Sequence, residues 1–154
     1  SERASGINAW TKVMLGHLFI MLSISVNSHI PFRYLLLYLS CIVFFGFFGI
    51  LALLNLEKTE KNISLNQYHG NAYEYSNAAI VFLICCLGLV GFPISPLYIG
   101  LDLLLTYIES HQYLQIGFTA LSLLFIEISL LRIYTKLFCG QHKKTHHPVA
   151  FKSS

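Results

Sequence analysis

The side chains able to do chemistry in this 154-residue chain sit in or beside apolar runs: His17, Tyr98, Asp102, Glu109 and Glu127. Asp102 has Tyr98 one helical turn before it and Glu109 two turns after it, so a regular helix would place all three on one face as a carboxylate relay. Glu127 lies near the middle of a long apolar run. A lone ionised carboxylate there is costly, so it should be protonated, paired or beside water. Arg132 is five residues further on, roughly 140° round a helix, and is a poor same-helix partner that better suits the helix end. His17 brings an imidazole, which titrates near neutrality and can join a proton wire, or can serve as a neutral packing residue. Lys12, near the start of the same run, completes the candidate set for a proton or ion path. Intramembrane acids are expensive, which favours a task for Asp102 and Glu127.

The element that must position Asp102 is itself irregular. In "GLVGFPISPLYIGLDLLL", residues 88–105, Pro93 lacks an amide hydrogen and clashes with the preceding turn, and Pro96 repeats the effect. Gly91 and Gly100 permit backbone angles that other residues avoid. The spacing predicts a helix broken around Phe92 to Ser95. Backbone groups freed inside a membrane cannot face lipid, so such a break belongs against protein or a hydrated cavity. There it can hold helix ends, with their partial charges, near the bilayer midplane. A proline kink used only for packing is the simpler alternative.

Composition places these residues in a bilayer. Hydrophobic residues make up 55% of the chain and charged residues 11%, with a mean hydropathy of +0.63, too little polar surface to coat a water-soluble globule. The apolar residues form runs that read as an all-α membrane protein with four transmembrane helices: about 10–26, 32–56, 78–108 (broken) and 113–138. With four crossings, Arg33 alone falls on one side, and Arg3, Lys12, Lys58, Lys61, Arg132, Lys136, Lys143, Lys144 and Lys152 fall on the other. Lys and Arg accumulate in cytoplasmic loops, so both termini and the 57–77 loop are expected inside, with the two short turns outside. The net charge of +3 is then a topology signal and calls for no nucleic-acid partner.

Other polar features are less specific. Cys41, Cys85, Cys86 and Cys139 lie in or at the end of apolar runs without CxxC spacing and read as packing residues, not as a disulfide framework or zinc site. His142 and His146 stand four apart in the basic tail from 141 to 154. No carboxylate or thiolate accompanies them, and a tail lying beside the membrane fits better than a metal site. The long loop "EKTEKNISLNQYHGNAYEYSN" carries Tyr68, Tyr73 and Tyr75, which suit an interface, and is expected to fold over the cytoplasmic surface. No cofactor, redox or hydrolytic motif is present in the sequence.

The stretch "LGLVGFPISPLYIGLDLLL", preceded by "RYLLLYLSCIVFFGFFGILAL" and followed by "LLRIYTKLFCG", resembles the antiporter-like membrane subunits of NADH:quinone oxidoreductase (respiratory complex I) and of Mrp cation/proton antiporters. In that family a leucine-rich helix breaks at a Gly-hydrophobic-Pro motif. A later helix ends in Arg-hydrophobic-Tyr and Phe-x-Gly, matched here by Arg132, Ile133, Tyr134, Phe138 and Gly140. The resemblance covers nearly the whole chain and implies the tenth to thirteenth helices of a fourteen-helix subunit. It implies a proton- or Na⁺-translocating role in a bacterial cytoplasmic or mitochondrial inner membrane, with the missing N-terminal half and other subunits as partners. The chain would then be a fragment, a split-gene piece or a processed product, in keeping with Ser1 in place of methionine. The family commonly has Lys or Glu where Leu101 stands, with Asp102 following directly. Two other functions fit the residues: a non-conducting scaffold of a larger complex, and the membrane partner of an energy-coupled inorganic-carbon transporter.

Overall fold

The computed structural model describes residues 6–59, 65–66 and 68–140. Five helices follow in order: α1 (Gly6–Asn27), α2 (Phe32–Thr59), α3 (Ser76–Val90), α4 (Pro96–Leu105) and α5 (Tyr113–Phe138). Among the described residues there is no strand. Three helices, α1, α2 and α5, are long and apolar enough to cross a membrane. At 1.5 Å per residue they measure about 33, 42 and 39 Å, against a hydrocarbon core of about 30 Å. The expected third crossing is not one helix of that class. It is divided into α3 and α4, of 15 and 10 residues, about 22 and 15 Å long.

Helices α1 and α2, the consecutive pair α3–α4, and α5 run alternately between two ends of the molecule, and hydrogen bonds fix which segments share an end. At one end Ser28 Oγ donates to the Tyr107 carbonyl at 2.9 Å, Asn27 Nδ2 donates to Gln115 Oε1 at 3.0 Å, and the rings of Tyr34 and Tyr107 meet at 6.1 Å. The start of α2 and the α4–α5 turn therefore lie together. At the other end, residues 69–72 lie along the end of α5. The amides of His69, Gly70, Asn71 and Ala72 donate to the carbonyls of Lys136, Cys139, Leu137 and Phe138. A helix terminus leaves its last carbonyls without intrahelical donors, and this loop supplies them. Gly70 and Gly140 take positive φ of 64° and 124°, and a Cβ at Gly140 would press on Tyr68. Lys136 Nζ sits 3.9 Å from the Tyr68 ring centroid. The Phe-x-Gly ending thus acts as a clamp between loop and helix.

Close helix approach depends on small residues, as it must where lipid is as apolar as the protein interior. Gly46 and Gly49 of α2 receive Met14 and Trp10 of α1, and Gly88 of α3 receives the ring of Phe45, which a Cβ would meet at 2.5 Å. Trp10 is fully buried, donates its indole N–H to the Gly46 carbonyl at 3.0 Å, and packs on Phe82 at 4.9 Å. Phe82 in turn meets Tyr134 and Phe138 of α5. Outside this core the long helices expose many aromatic and aliphatic side chains, including Phe19, Phe44, Phe47 and Leu131. That is the surface a hydrocarbon solvent accepts and water does not.

Cys41, Cys85 and Cys86 are free and buried, whereas Cys139 is exposed where α5 ends, so the packing role holds for three of the four. Residues 141–154, with His142 and His146, lie outside the described residues.

Candidate functional site

The break between α3 and α4 is built from its sequence in two halves. Helix α3 stops because Gly91 enters the left-handed region at φ 79°. Its amide donates to the Gly88 carbonyl at 3.4 Å and that of Phe92 to Leu87 at 3.2 Å, the paired bonds of a Schellman cap. Helix α4 starts because Ser95 takes an extended conformation and its hydroxyl accepts from the Tyr98 amide at 3.3 Å, with Pro96 in the first turn. A 2.7 Å bond from the Ser95 amide to the Phe92 carbonyl closes the turn between them. Gly100 has no unusual φ and does not contribute to the break. It lies inside α4, where a Cβ would come within 3.3 Å of the Tyr38 backbone, and its lack of a side chain lets α4 close on α2.

This break has a consequence for His17. In a continuous helix the Leu89 carbonyl would accept from residue 93, which is proline and has no N–H. The His17 imidazole stands beside this end of α3. His17 stands at the middle of α1, 1% exposed, and its Nδ1 lies 2.8 Å from the hydroxyl of Tyr38, itself 0% exposed. Which of the two donates depends on the imidazole tautomer. Nε2 has no hydrogen-bond partner among the described residues. A titratable side chain is therefore buried where α1 meets α2, with Nδ1 hydrogen-bonded and Nε2 enclosed without a hydrogen-bond partner among the described residues. Tyr38 was not singled out in the sequence. It is a phenol in an apolar run, and only its alignment opposite His17 marks it.

The other candidates lie elsewhere. Asp102 and Tyr98 are both in α4, at the expected four-residue spacing, and both are exposed. Glu109 does not continue their face. Helix α4 ends at Leu105 and residues 106–112 form a turn. There Glu109 Oε2 sits 3.1 Å from exposed His111 Nδ1, while its amide donates to Gln112 Oε1. A three-member relay along one helix is thus absent. Glu127 is exposed on α5, and no ion pair with Arg132 forms among the described residues. Lys12 is also exposed, and lines a cavity between α1 and α5 opposite Arg132. His17 and Tyr38 form the buried pair, and the carboxylates face outward from this chain.

The break is covered on one side only. Leu89 and Leu97, which flank it, are fully buried, whereas Phe92, Pro93 and Ile94 are exposed, Ile94 to 85%. No group of three or more His, Cys, Asp or Glu positioned to hold a metal occurs among the described residues. Comparison of the chain with protein-family models, curated proteins and solved structures returns no match.

Proposed function

We propose that this chain is part of a proton-translocating, antiporter-like membrane subunit, in which the buried His17–Tyr38 pair beside the α3–α4 break carries the ion path through the helix packing. The observation that carries the reading is the buried hydrogen bond between His17 Nδ1 and the Tyr38 hydroxyl, with the Nε2 side of the ring lacking a hydrogen-bond partner among the described residues. An imidazole bound on one side and open on the other can take a proton at one nitrogen and release it at the other. Asp102 and Glu127 face outward, and in this reading they meet the remaining part of the subunit or its neighbours, which also cover the exposed side of the break. Both needs point the same way, because carboxylates and a non-helical backbone segment are not stable against lipid. The sequence resemblance to the complex I and Mrp subunits supports the same assignment.

In this proposal α3 and α4 together make the third of four crossings. The end carrying Lys58, Lys136 and the 68–75 loop faces the cytoplasm of a bacterium or the mitochondrial matrix, as the excess of Lys and Arg supports. A second reading is favoured by a specific observation. Leu101 is apolar, and Asp102 and Glu127 do not converge with His17, which suits a non-conducting scaffold of the same larger complex. Proton uptake by vesicles carrying the assembled complex separates the two. Translocation predicts that Asp102→Asn and Glu127→Gln abolish uptake while assembly persists. The scaffold predicts uptake indifferent to both.

A further inference from the structure

Between α1 and α5 lies a cavity of about 680 Å³ whose lining joins two kinds of surface. At the end shared with the 68–75 loop it holds Lys12 and Arg132, both exposed and without a carboxylate partner among the described residues. Lys12 is six residues from the start of α1 and Arg132 six from the end of α5, so each stands about 9 Å inside its helix terminus. Below them the walls are Phe19, Ile20, Phe118, Phe125 and Ile126. Ser122 and Ser129 each donate to a carbonyl of their own helix at 2.7 Å, and Ser23 and Thr119 add further polar groups to a lining that is apolar in its larger part. Phe19, Phe118 and Phe125 remain 68%, 66% and 59% exposed, so the groove opens sideways, towards lipid.

We infer that this groove is a binding site for an anionic phospholipid, with its phosphate between Lys12 and Arg132 and an acyl chain along the phenylalanines. Charge complementarity selects the occupant. Two cations without a carboxylate partner among the described residues, at the head of a mainly apolar channel, match a lipid that is anionic at one end and hydrocarbon at the other. A neutral transmembrane helix would leave both cations unanswered. Length agrees. From Arg132 to Phe118 is 14 residues of α5, about 21 Å, and from Lys12 to Ser23 is 11 residues of α1, about 16 Å. The depth of one leaflet's hydrocarbon is about 15 Å. This inference rests on the placement of α1 and α5 in a bilayer and not on proton transfer, so it stands or falls separately from the translocation reading.

The test is native mass spectrometry of the chain, in the complex in which it assembles, after exchange into mixed micelles of phosphatidylglycerol and phosphatidylcholine. Phosphatidylglycerol should be retained preferentially. Each basic side chain near an anionic headgroup supplies roughly a fivefold factor, so Lys12→Gln with Arg132→Gln should weaken retention about thirty-fold. Ser122→Phe, which fills the channel and leaves both cations in place, should displace the lipid without loss of helical circular dichroism. Equal retention of the two lipids would overturn the inference, as would phosphatidylglycerol binding unchanged by the double substitution. Displacement of the lipid by soluble glycerol phosphate at similar concentration, or a cysteine at Phe118 that crosslinks to a helix of another subunit in the assembled complex, would overturn it as well.

Discussion

Replacing Tyr38 by phenylalanine removes one hydroxyl and nothing else. His17 Nδ1 loses its partner at 2.8 Å while Nε2 already lacks one. Interhelical hydrogen bonds between membrane helices contribute about 0.6 kcal/mol on average and up to about 1.7, because the separated helices also find partners. This bond belongs near the upper end. Both residues are at most 1% exposed, so no outside group replaces the lost oxygen, and a stranded buried polar atom costs about 1–3 kcal/mol. We expect Tyr38→Phe to destabilise the α1–α2 packing by about 1.5 kcal/mol, roughly tenfold in the unfolding equilibrium. His17→Leu should cost less, since it strands the phenol but also removes the unpartnered Nε2. The double variant should cost well under the sum of the two, with a coupling of about 1 kcal/mol or more. Reversible unfolding in mixed detergent micelles, run as a double-mutant cycle, measures it. Additivity within about 0.4 kcal/mol would mean that the two side chains do not meet in the folded protein, and the site would have to be abandoned.

Three further outcomes follow from the same packing. Gly91→Ala should destabilise by about 1–2 kcal/mol, as φ is 79° and no neighbour crowds the position. Gly117→Ala, equally uncrowded but with ordinary helical φ inside α5, should stabilise by about 0.5–1 kcal/mol in the same unfolding assay. Gly88→Leu should weaken the α2–α3 contact by more than about 1–3 kcal/mol because Phe45 fills that space, and Phe45→Ala in the same chain should recover part of the loss. A cysteine introduced at Ser28 should react with an impermeant maleimide from outside intact cells, and one at Asn66 only after permeabilisation. The reverse pattern, or equal labelling, would contradict the orientation.

The features legible in the sequence were those written in local chemistry. The helix that became α5 could be read as Tyr113–Phe138 because an apolar run is bounded by a polar turn and by Cys139–Gly140. The break could be placed at 92–95 because two prolines and Gly91 act on their own backbone. Gly100 was legible as a special position for the wrong reason: its role is closeness to Tyr38, a residue 62 positions away in sequence, and not backbone freedom. The face shared by Tyr98, Asp102 and Glu109 assumed a helix that in fact stops at Leu105, where Thr106 turns its hydroxyl back to the Leu103 carbonyl. Tyr38 was invisible, since pairing with His17 is a property of how α1 crosses α2. The seating of residues 69–72 on the end of α5 was foreseen only as a loop folded over a surface. Backbone pairing over such a distance leaves no period in the sequence.

Proton movement through the assembled complex tests the central claim most directly. Vesicles carrying the complex with His17→Leu, Asp102→Asn or Glu127→Gln in this chain should each lose most proton uptake, measured with a pH-sensitive dye, while the amount of assembled complex stays at its original level. Full uptake by the triple variant, at unchanged assembly, would contradict the account and leave the chain a scaffold.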